Sequence, residues 1–136
     1  MQNITRLFDF PYYQLEHFNL PDALVTKYNN EWVKTSTQEY INKANALSRA
    51  LLNLGIQKND KIAVISSNNR TEWHISDIGI LQVGAQNIPI YPTISSEDYE
   101  YILNHSEAKY CFVSDQVVYD KLKEVQSRIP LSIDVY

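Results

Sequence analysis

The alternation of two hydrophobic patterns between Glu39 and Ser114 constrains the fold more than any other feature of this sequence. Apolar residues first recur every three or four positions, as on one face of a helix, and then run unbroken, as in a buried strand. This helix–strand cycle occurs three times with short connections. The alternation predicts an α/β fold, in which a parallel sheet has helices on both faces and right-handed crossovers.

Local signals set the predicted bounds of the elements. Ser36 to Glu39 form a capping box, and Gly55 follows the helix that this box opens and that extends to Leu54. Asn29 and Asn30 predict a tight turn, so that residues 23–35 form a β-hairpin before the sheet. The other predicted helices cover 11–18, 70–83, 95–105 and 116–128, and the predicted strands cover 23–28, 31–35, 61–67, 86–91, 109–114 and 131–135.

The predicted strands carry the side chains that we expect in the core. These are Ile62, Val64, Ile88, Ile90, Phe112 and Val113. The sequence stops just after the last predicted strand, a strand that a complete domain usually covers. We therefore expect a truncated domain that exposes several hundred Å² of apolar surface, on the order typical of interaction patches, and that self-associates through it.

Composition argues against several classes of protein. Twelve Lys and Arg against sixteen Asp and Glu give a net charge of −4, and no basic cluster predicts nucleic-acid binding. The single cysteine, Cys111, cannot form an internal disulfide, which is typical of a reducing compartment. The first residues lack the apolar segment of a signal peptide, and no apolar run approaches the roughly 20 residues of a membrane span.

Polar residues follow three of the predicted strands. They are Ser66–Asn69, Tyr91–Thr93 and Ser114–Asp115. The carboxyl ends of parallel strands meet at one edge of the sheet, where ligands bind in open α/β folds. Loops after strands are polar without any ligand as well, so both interpretations stay open at this point.

The sequence contains few of the residue patterns that form phosphate loops, metal sites or catalytic pairs. The glycines, Gly55, Gly79 and Gly84, match no phosphate-binding pattern. His74 and Asp77 lie three positions apart on one predicted helix, as a base and the group that orients it would, but a solvated or structural pair explains this spacing equally. The three histidines lack the spacing of a zinc site.

Five segments in order resemble the N-terminal region of the adenylate-forming enzymes. Trp32–Tyr40 resembles the first core motif of that superfamily, and Leu54–Val64 resembles its Leu-Gly-Val-x-x-Gly-Asp-x-Val-Ala stretch, with Asn59 in place of glycine. Leu81–Thr93 resembles the second core motif. Asn69–Trp73 and Tyr101–Lys109 resemble segments of the long-chain fatty acid–CoA ligases.

The resemblance covers residues 20–136 and implies an N-terminal fragment of a long-chain fatty acid–CoA ligase, with residues 1–36 as helix and hairpin and 37–136 as a βα region. It implies that the intact enzyme uses ATP, Mg²⁺ and coenzyme A to convert a fatty acid through an acyl-adenylate into acyl-CoA. The phosphate loop, the lysines and the metal site of the family match nothing here, so we expect no catalytic residue, no bound cofactor and no activity in the chain alone.

The resemblance also suggests one ligand-binding segment and a location. Tyr91, Pro92 and Thr93 match a region on the coenzyme A side of some relatives, although Tyr91 packing at the end of its strand is the alternative. The implied location is cytoplasmic, with peripheral association with the inner membrane left open. Two other functions also remain open: activation of an aryl or amino acid, and a stand-alone flavodoxin-like binding module.

Overall fold

The computed structural model describes residues 4–129 in full and the backbone of residues 132–135. The chain folds into two compact units whose segments interleave along the sequence. The first unit comprises residues 1–57 and 69–84, and the second comprises residues 58–68 and 85–136. Among the described residues, no helix is both long and apolar enough to cross a membrane.

The first unit contains helices and the predicted hairpin. Its elements are a 3-10 helix Leu7–Asp9, α1 Phe10–His17, β1 Leu24–Tyr28, β2 Glu31–Thr35, α2 Thr37–Asn53 and α3 Thr71–Gln82. The antiparallel strands β1 and β2 are joined at Asn29 and Asn30, which both have positive φ (47° and 69°), as a two-residue hairpin turn requires. The capping box is confirmed, since Ser36 N–H donates to Glu39 Oε2 over 2.8 Å and Glu39 N–H donates to Ser36 Oγ over 3.2 Å.

The hairpin supplies the cap for α3. The side chain of the N-cap residue, Arg70, donates to the carboxylate of Glu72 over 2.9 Å but caps no backbone N–H of this helix. Instead the N–H of Thr71 donates to Thr26 Oγ1 on β1 over 2.9 Å, and both threonines are buried. Next to them the hydroxyl of Tyr28 donates to the carboxylate of Glu72 over 2.6 Å. Residues 45 positions apart thus satisfy a backbone donor that would otherwise be left without a partner.

Helices α2 and α3 approach each other closely at Gly79. A Cβ atom at this buried position would lie 2.8 Å from Cδ2 of Leu47 on α2, which is closer than van der Waals contact allows. Ser48 Oγ on α2 lies 2.9 Å from the carbonyl oxygen of Gly79. The absence of a side chain at Gly79 is therefore what allows the two helices to pack at this distance.

The second unit is built on a parallel sheet. Its elements are β3 Lys61–Ile65, β4 Gln86–Ile90, α4 Ser96–Ser106, β5 Ala108–Val113, α5 Gln116–Lys123, a 3-10 helix Gln126–Arg128 and β6 Ser132–Val135. The strand order is β4-β3-β5-β6, and every neighbouring pair is parallel. The α/β class, the parallel sheet and the preceding hairpin are as predicted. One predicted feature, the start of the last strand at residue 131, lies outside the described residues.

Helices α4 and α5 pack on one face of this sheet. Their core side chains include Tyr99, Leu103 and Leu122, which are completely buried and lie with Cys111 and Val113 of β5 in one apolar cluster. The prediction that α5 continues to residue 128 is wrong. The α-helix ends at Lys123 because the chain changes conformation at Val125 (φ −110°, ψ 1°), which places that side chain and the one at 129 in the core.

Four of the six side chains predicted to be in the core are buried. They are Ile62, Val64, Ile90 and Val113. The prediction is wrong for Ile88 and Phe112, which are half-buried. Ile88 lies on β4, an edge strand of the described sheet, and Phe112 lies on the sheet face opposite Cys111 and Val113, away from α4 and α5.

We expect Gly84→Val to lower the free energy of unfolding by about 2 kcal/mol or more. Gly84 follows α3 with φ +77°, a left-handed conformation that a β-branched residue adopts only under strain. Urea denaturation of the variant and the parent chain measures the difference. Gly84→Asn is the matched control, because asparagine tolerates positive φ and should cost clearly less. Equal midpoints for the valine variant and the parent would contradict the strain argument.

Candidate functional site

The carboxyl ends of β3, β4 and β5 lie along one edge of the sheet, because the three strands are parallel neighbours. Ser66–Asn68 follow β3, Tyr91–Ile94 follow β4, and Ser114–Asp115 follow β5. The polar segments expected at this edge are therefore present on the second unit. This edge is the candidate site, since ligands of open α/β sheets bind outside the carboxyl ends of the strands.

Hydrogen bonds join the loops after β3 and β5. Ser67 Oγ donates to Asp115 Oδ2 over 2.5 Å, and Ser114 Oγ donates to the same oxygen over 2.8 Å. The backbone N–H of Ser67 donates to Ser114 Oγ over 2.9 Å. The other carboxylate oxygen of Asp115 accepts from the N–H of Val118 over 3.0 Å and so caps α5. One carboxylate thereby fixes both loops and the start of a helix.

Burial opposes ionisation of Asp115, but the hydrogen bonds from Ser67, Val118 and Ser114 outweigh it and hold the pKa of the carboxyl below its usual range. A carboxyl whose pKa is lowered in the folded state stabilises the fold above its unfolded-state pKa. That contribution is lost as the pH falls through the folded-state pKa.

We expect Asp115→Ala to lower the free energy of unfolding at neutral pH by about 1 kcal/mol, the usual value of a lost cap. Asp115→Asn is the matched control, because its amide oxygen still accepts from Val118 but no longer titrates. Its stability should therefore fall less between neutral and acidic pH than that of the parent chain. Thermal denaturation across this pH range measures both effects, and identical acid profiles for the parent and the asparagine variant would contradict the assignment.

Two side chains hold the backbone of the loop after β4, and this loop carries one exposed aromatic ring. The hydroxyl of Tyr99 donates to the carbonyl of Tyr91 over 3.1 Å, and Nζ of Lys121 donates to the carbonyl of Ile94. The Lys121 ammonium also lies 5.4 Å from the centre of the Tyr99 ring. The Tyr91 side chain is 80% exposed, so it does not pack at the end of its strand, which was the alternative interpretation. Pro92 is half-buried and Thr93 is exposed.

Burial raises the pKa of Tyr99 to about 12, so its hydroxyl is a proton donor at neutral pH. Sequence patterns did not reveal that Tyr99 and Lys121 hold the loop after β4, since both roles depend on contacts between α4, α5 and this loop. The part played by Asp115 does have a sequence signal. An aspartate immediately before a helical pattern is a typical N-cap.

The other chemical candidates do not assemble into a site. His74 is exposed and lies edge-on to the ring of Trp73, with 5.4 Å between the ring centres. Within residues 4–129, no three histidine, cysteine or acidic side chains lie close enough together to hold a metal ion. Cys111 is buried in β5, and burial raises the pKa of its thiol to about 12.

Sequence comparison gives a consistent result across most of the chain. The family model for AMP-binding enzymes matches residues 16–135. The long-chain fatty acid–CoA ligase FadD15 of Mycobacterium bovis is 33% identical over 99 residues, which are 73% of this chain and 16% of that protein. The long-chain fatty acid–CoA ligase ACSBG2 of Xenopus laevis is 28% identical over 108 residues, which are 79% of this chain and 14% of that protein.

Structural comparison agrees on the fold. The crystal structure of a long-chain fatty acid–CoA ligase (FadD1) from Archaeoglobus fulgidus superimposes with a TM-score of 0.81 at 22% identity. The superposition covers 96% of this chain and 27% of that one. The chain thus has the fold of one part of a much longer protein.

Proposed function

Because the chain belongs to the AMP-binding enzyme family, we propose that it forms part of the N-terminal domain of an ATP-dependent acid–CoA ligase whose acid is a long-chain fatty acid. The match to FadD15 of M. bovis over 73% of the chain carries the proposal. Residues 1–36 form the leading helix and hairpin of this domain, and residues 37–136 form its βα region. The intact enzyme acts in the cytoplasm.

The proposed reaction joins a carboxylate to the α-phosphate of ATP and releases pyrophosphate. The thiol of coenzyme A then takes the acyl group from this acyl-adenylate, and AMP leaves. The first step brings two anions together, so lysine and Mg²⁺ charge must stabilise it. The glycines of the sequence form no phosphate loop. We therefore assign no step of adenylation to this chain.

This chain supplies the coenzyme A side of the proposed ligase site. Tyr91 presents an exposed ring on a loop that Tyr99 and Lys121 hold by its carbonyl groups. An exposed aromatic ring on a backbone held in this way is suited to stacking on a purine, an interaction that contributes about 1–3 kcal/mol per base. Pro92 and Thr93 continue this surface.

A chimaeric enzyme tests the proposal. Residues 20–136 replace the matching segment of M. bovis FadD15, and the product is assayed with ATP, Mg²⁺, palmitate and coenzyme A. We expect palmitoyl-CoA to form and benzoate to be a poor substrate. A folded chimaera that releases no pyrophosphate with any acid would overturn the ligase proposal, and a preference for benzoate would overturn the choice of acid.

Tyr91→Ala in the chimaera separates the coenzyme A side from adenylation. We expect the KM for coenzyme A to rise about tenfold, which corresponds to about 1.4 kcal/mol, while palmitate-dependent pyrophosphate release stays unchanged. Val117→Ala is the matched control, because Val117 is similarly exposed (77%) and lies on α5. An unchanged KM in Tyr91→Ala would remove Tyr91 from the coenzyme A side.

The 136-residue chain alone should be inactive. We expect no palmitoyl-CoA or pyrophosphate above the buffer control, because the sequence contains no phosphate loop. Parent FadD15 in the same assay is the positive control. Turnover by the isolated chain that survives repurification would show that these residues do carry catalytic groups.

Sedimentation velocity of the same sample tests the proposed self-association of the chain. A sedimentation coefficient of a monomer that does not change with protein concentration would contradict it.

A further inference from the structure

A groove of about 710 Å³ lies in the first unit, between the N-terminal segment and the helices α2 and α3. This volume is within the range of small-molecule sites, roughly 300–1,000 Å³. Its walls combine apolar side chains with a few polar ones. The apolar lining includes Phe8, Leu52 and Val83, and the polar lining includes Tyr12, Asn45 and Arg49.

A string of hydrogen bonds fixes the polar floor of this groove. Ser48 Oγ donates to Gln82 Oε1 over 2.6 Å, and Gln82 Nε2 donates to the hydroxyl of Tyr12 over 2.8 Å. Tyr12 donates in turn to Asn45 Oδ1 over 2.7 Å. The string uses the amide oxygens of Gln82 and Asn45 as acceptors, which leaves the NH₂ group of Asn45 as a donor at its end.

The charges of the groove also favour a ligand that accepts hydrogen bonds. Asp9 is neutralised by Arg6, whose guanidinium donates to the carboxylate over 2.8 Å. Arg49 follows Asn45 by one helical turn on α2 and has no carboxylate partner within the part of the chain that the structure describes. Asn45 and Arg49 thus present donors side by side, and Leu52, which is 57% exposed, continues the same face of α2 with an apolar surface.

We propose that this groove binds a small amphipathic anion, a carboxylate with an apolar tail. The carboxylate accepts from the guanidinium of Arg49 and the amide of Asn45, and the tail lies against Phe8, Leu52 and Val83. The groove lies wholly within the first unit, whereas the coenzyme A side proposed above lies in the second. The two proposals therefore stand or fall separately.

Titration of the ¹⁵N-labelled 136-residue chain with octanoate tests this site. We expect saturable shifts of the Asn45 side-chain amide and of backbone signals near Phe8, Leu52 and Val83. 1-Octanol and inorganic phosphate are the matched probes, since each keeps only one half of the ligand. Binding of octanol as tight as that of octanoate would overturn the role of charge, and equal binding of phosphate would overturn the role of the tail.

Arg49→Gln locates the anion. We expect its affinity for octanoate to fall at least tenfold, while Arg128→Gln, the same change on the second unit, leaves it unchanged. Tyr12→Phe, which interrupts the hydrogen-bond string at its centre, should weaken binding several-fold. Spectra without ligand establish that each variant is folded. Equal affinity of the Arg49→Gln variant and the parent, or shifts that never saturate, would overturn the proposal.

Discussion

Tyr99→Ala is expected to lower the free energy of unfolding by about 4 kcal/mol, since removing a fully buried aromatic side chain from a core usually costs about 3–5 kcal/mol. The ring is completely buried among α4, α5 and the sheet. Its loss leaves a cavity and removes the surface on which the Lys121 ammonium lies. Urea denaturation followed by circular dichroism measures the change.

Tyr99→Phe separates the hydroxyl from the ring. This variant keeps the packing but loses the donor to the carbonyl of Tyr91, which should cost about 1 kcal/mol. Hydrogen exchange of residues 91–95 should quicken in this variant while the strand β3 keeps its protection. If exchange in the loop stays at the parent rate, the hydroxyl does not hold this loop in place.

Gly79→Val is the second substitution with a large expected effect, a loss of about 3 kcal/mol of stability from overpacking between α2 and α3. Its Cβ would meet Leu47 at 2.8 Å and the carbonyl oxygen of Ala44 at 3.2 Å, and the latter is backbone that cannot rotate away. Thermal and urea denaturation of the variant measure the loss.

Gly55→Ala is the control for this experiment. A Cβ at Gly55 meets nothing within 4 Å, although its φ of +82° imposes strain. The alanine variant should therefore cost only about 1–2 kcal/mol, the usual penalty of a left-handed residue. A larger loss at Gly55 than at Gly79 would show that backbone strain, and not the close helix approach, dominates in this protein.

The regular elements were predictable because their signals are local. The capping box at Ser36 and Glu39 and the pair Asn29 and Asn30 each specify a backbone conformation within four residues, and the structure shows both. The continuous apolar run from Ile62 to Ile65 indicated a buried strand, and all of it is buried. The early end of α5 at Lys123 was not predictable, since the apolar spacing that runs on to residue 129 is satisfied by a turn and a 3-10 helix as well.

The candidate site was predictable only in outline. The polar residues after the strands marked the edge of the sheet, because parallel strands end on the same side. The bonds that fix this edge, from Ser67 to Asp115 and from Tyr99 to Tyr91, join different loops and helices. The first of them joins residues 48 positions apart, a distance over which no periodic pattern carries information.

The interleaving of the two units has a consequence for synthesis on the ribosome. Helix α2 leaves the ribosome before α3, the helix against which it packs at Gly79. The hairpin likewise emerges before Thr71, whose N–H donates a hydrogen bond to Thr26 of the hairpin. A nascent chain of which residue 84 is still inside the exit tunnel therefore exposes the first unit in an incomplete form, with β3 already outside between its two parts. We expect protease to cut α2 in arrested chains whose residues up to 68 have left the tunnel and to spare it once residue 84 has cleared the tunnel.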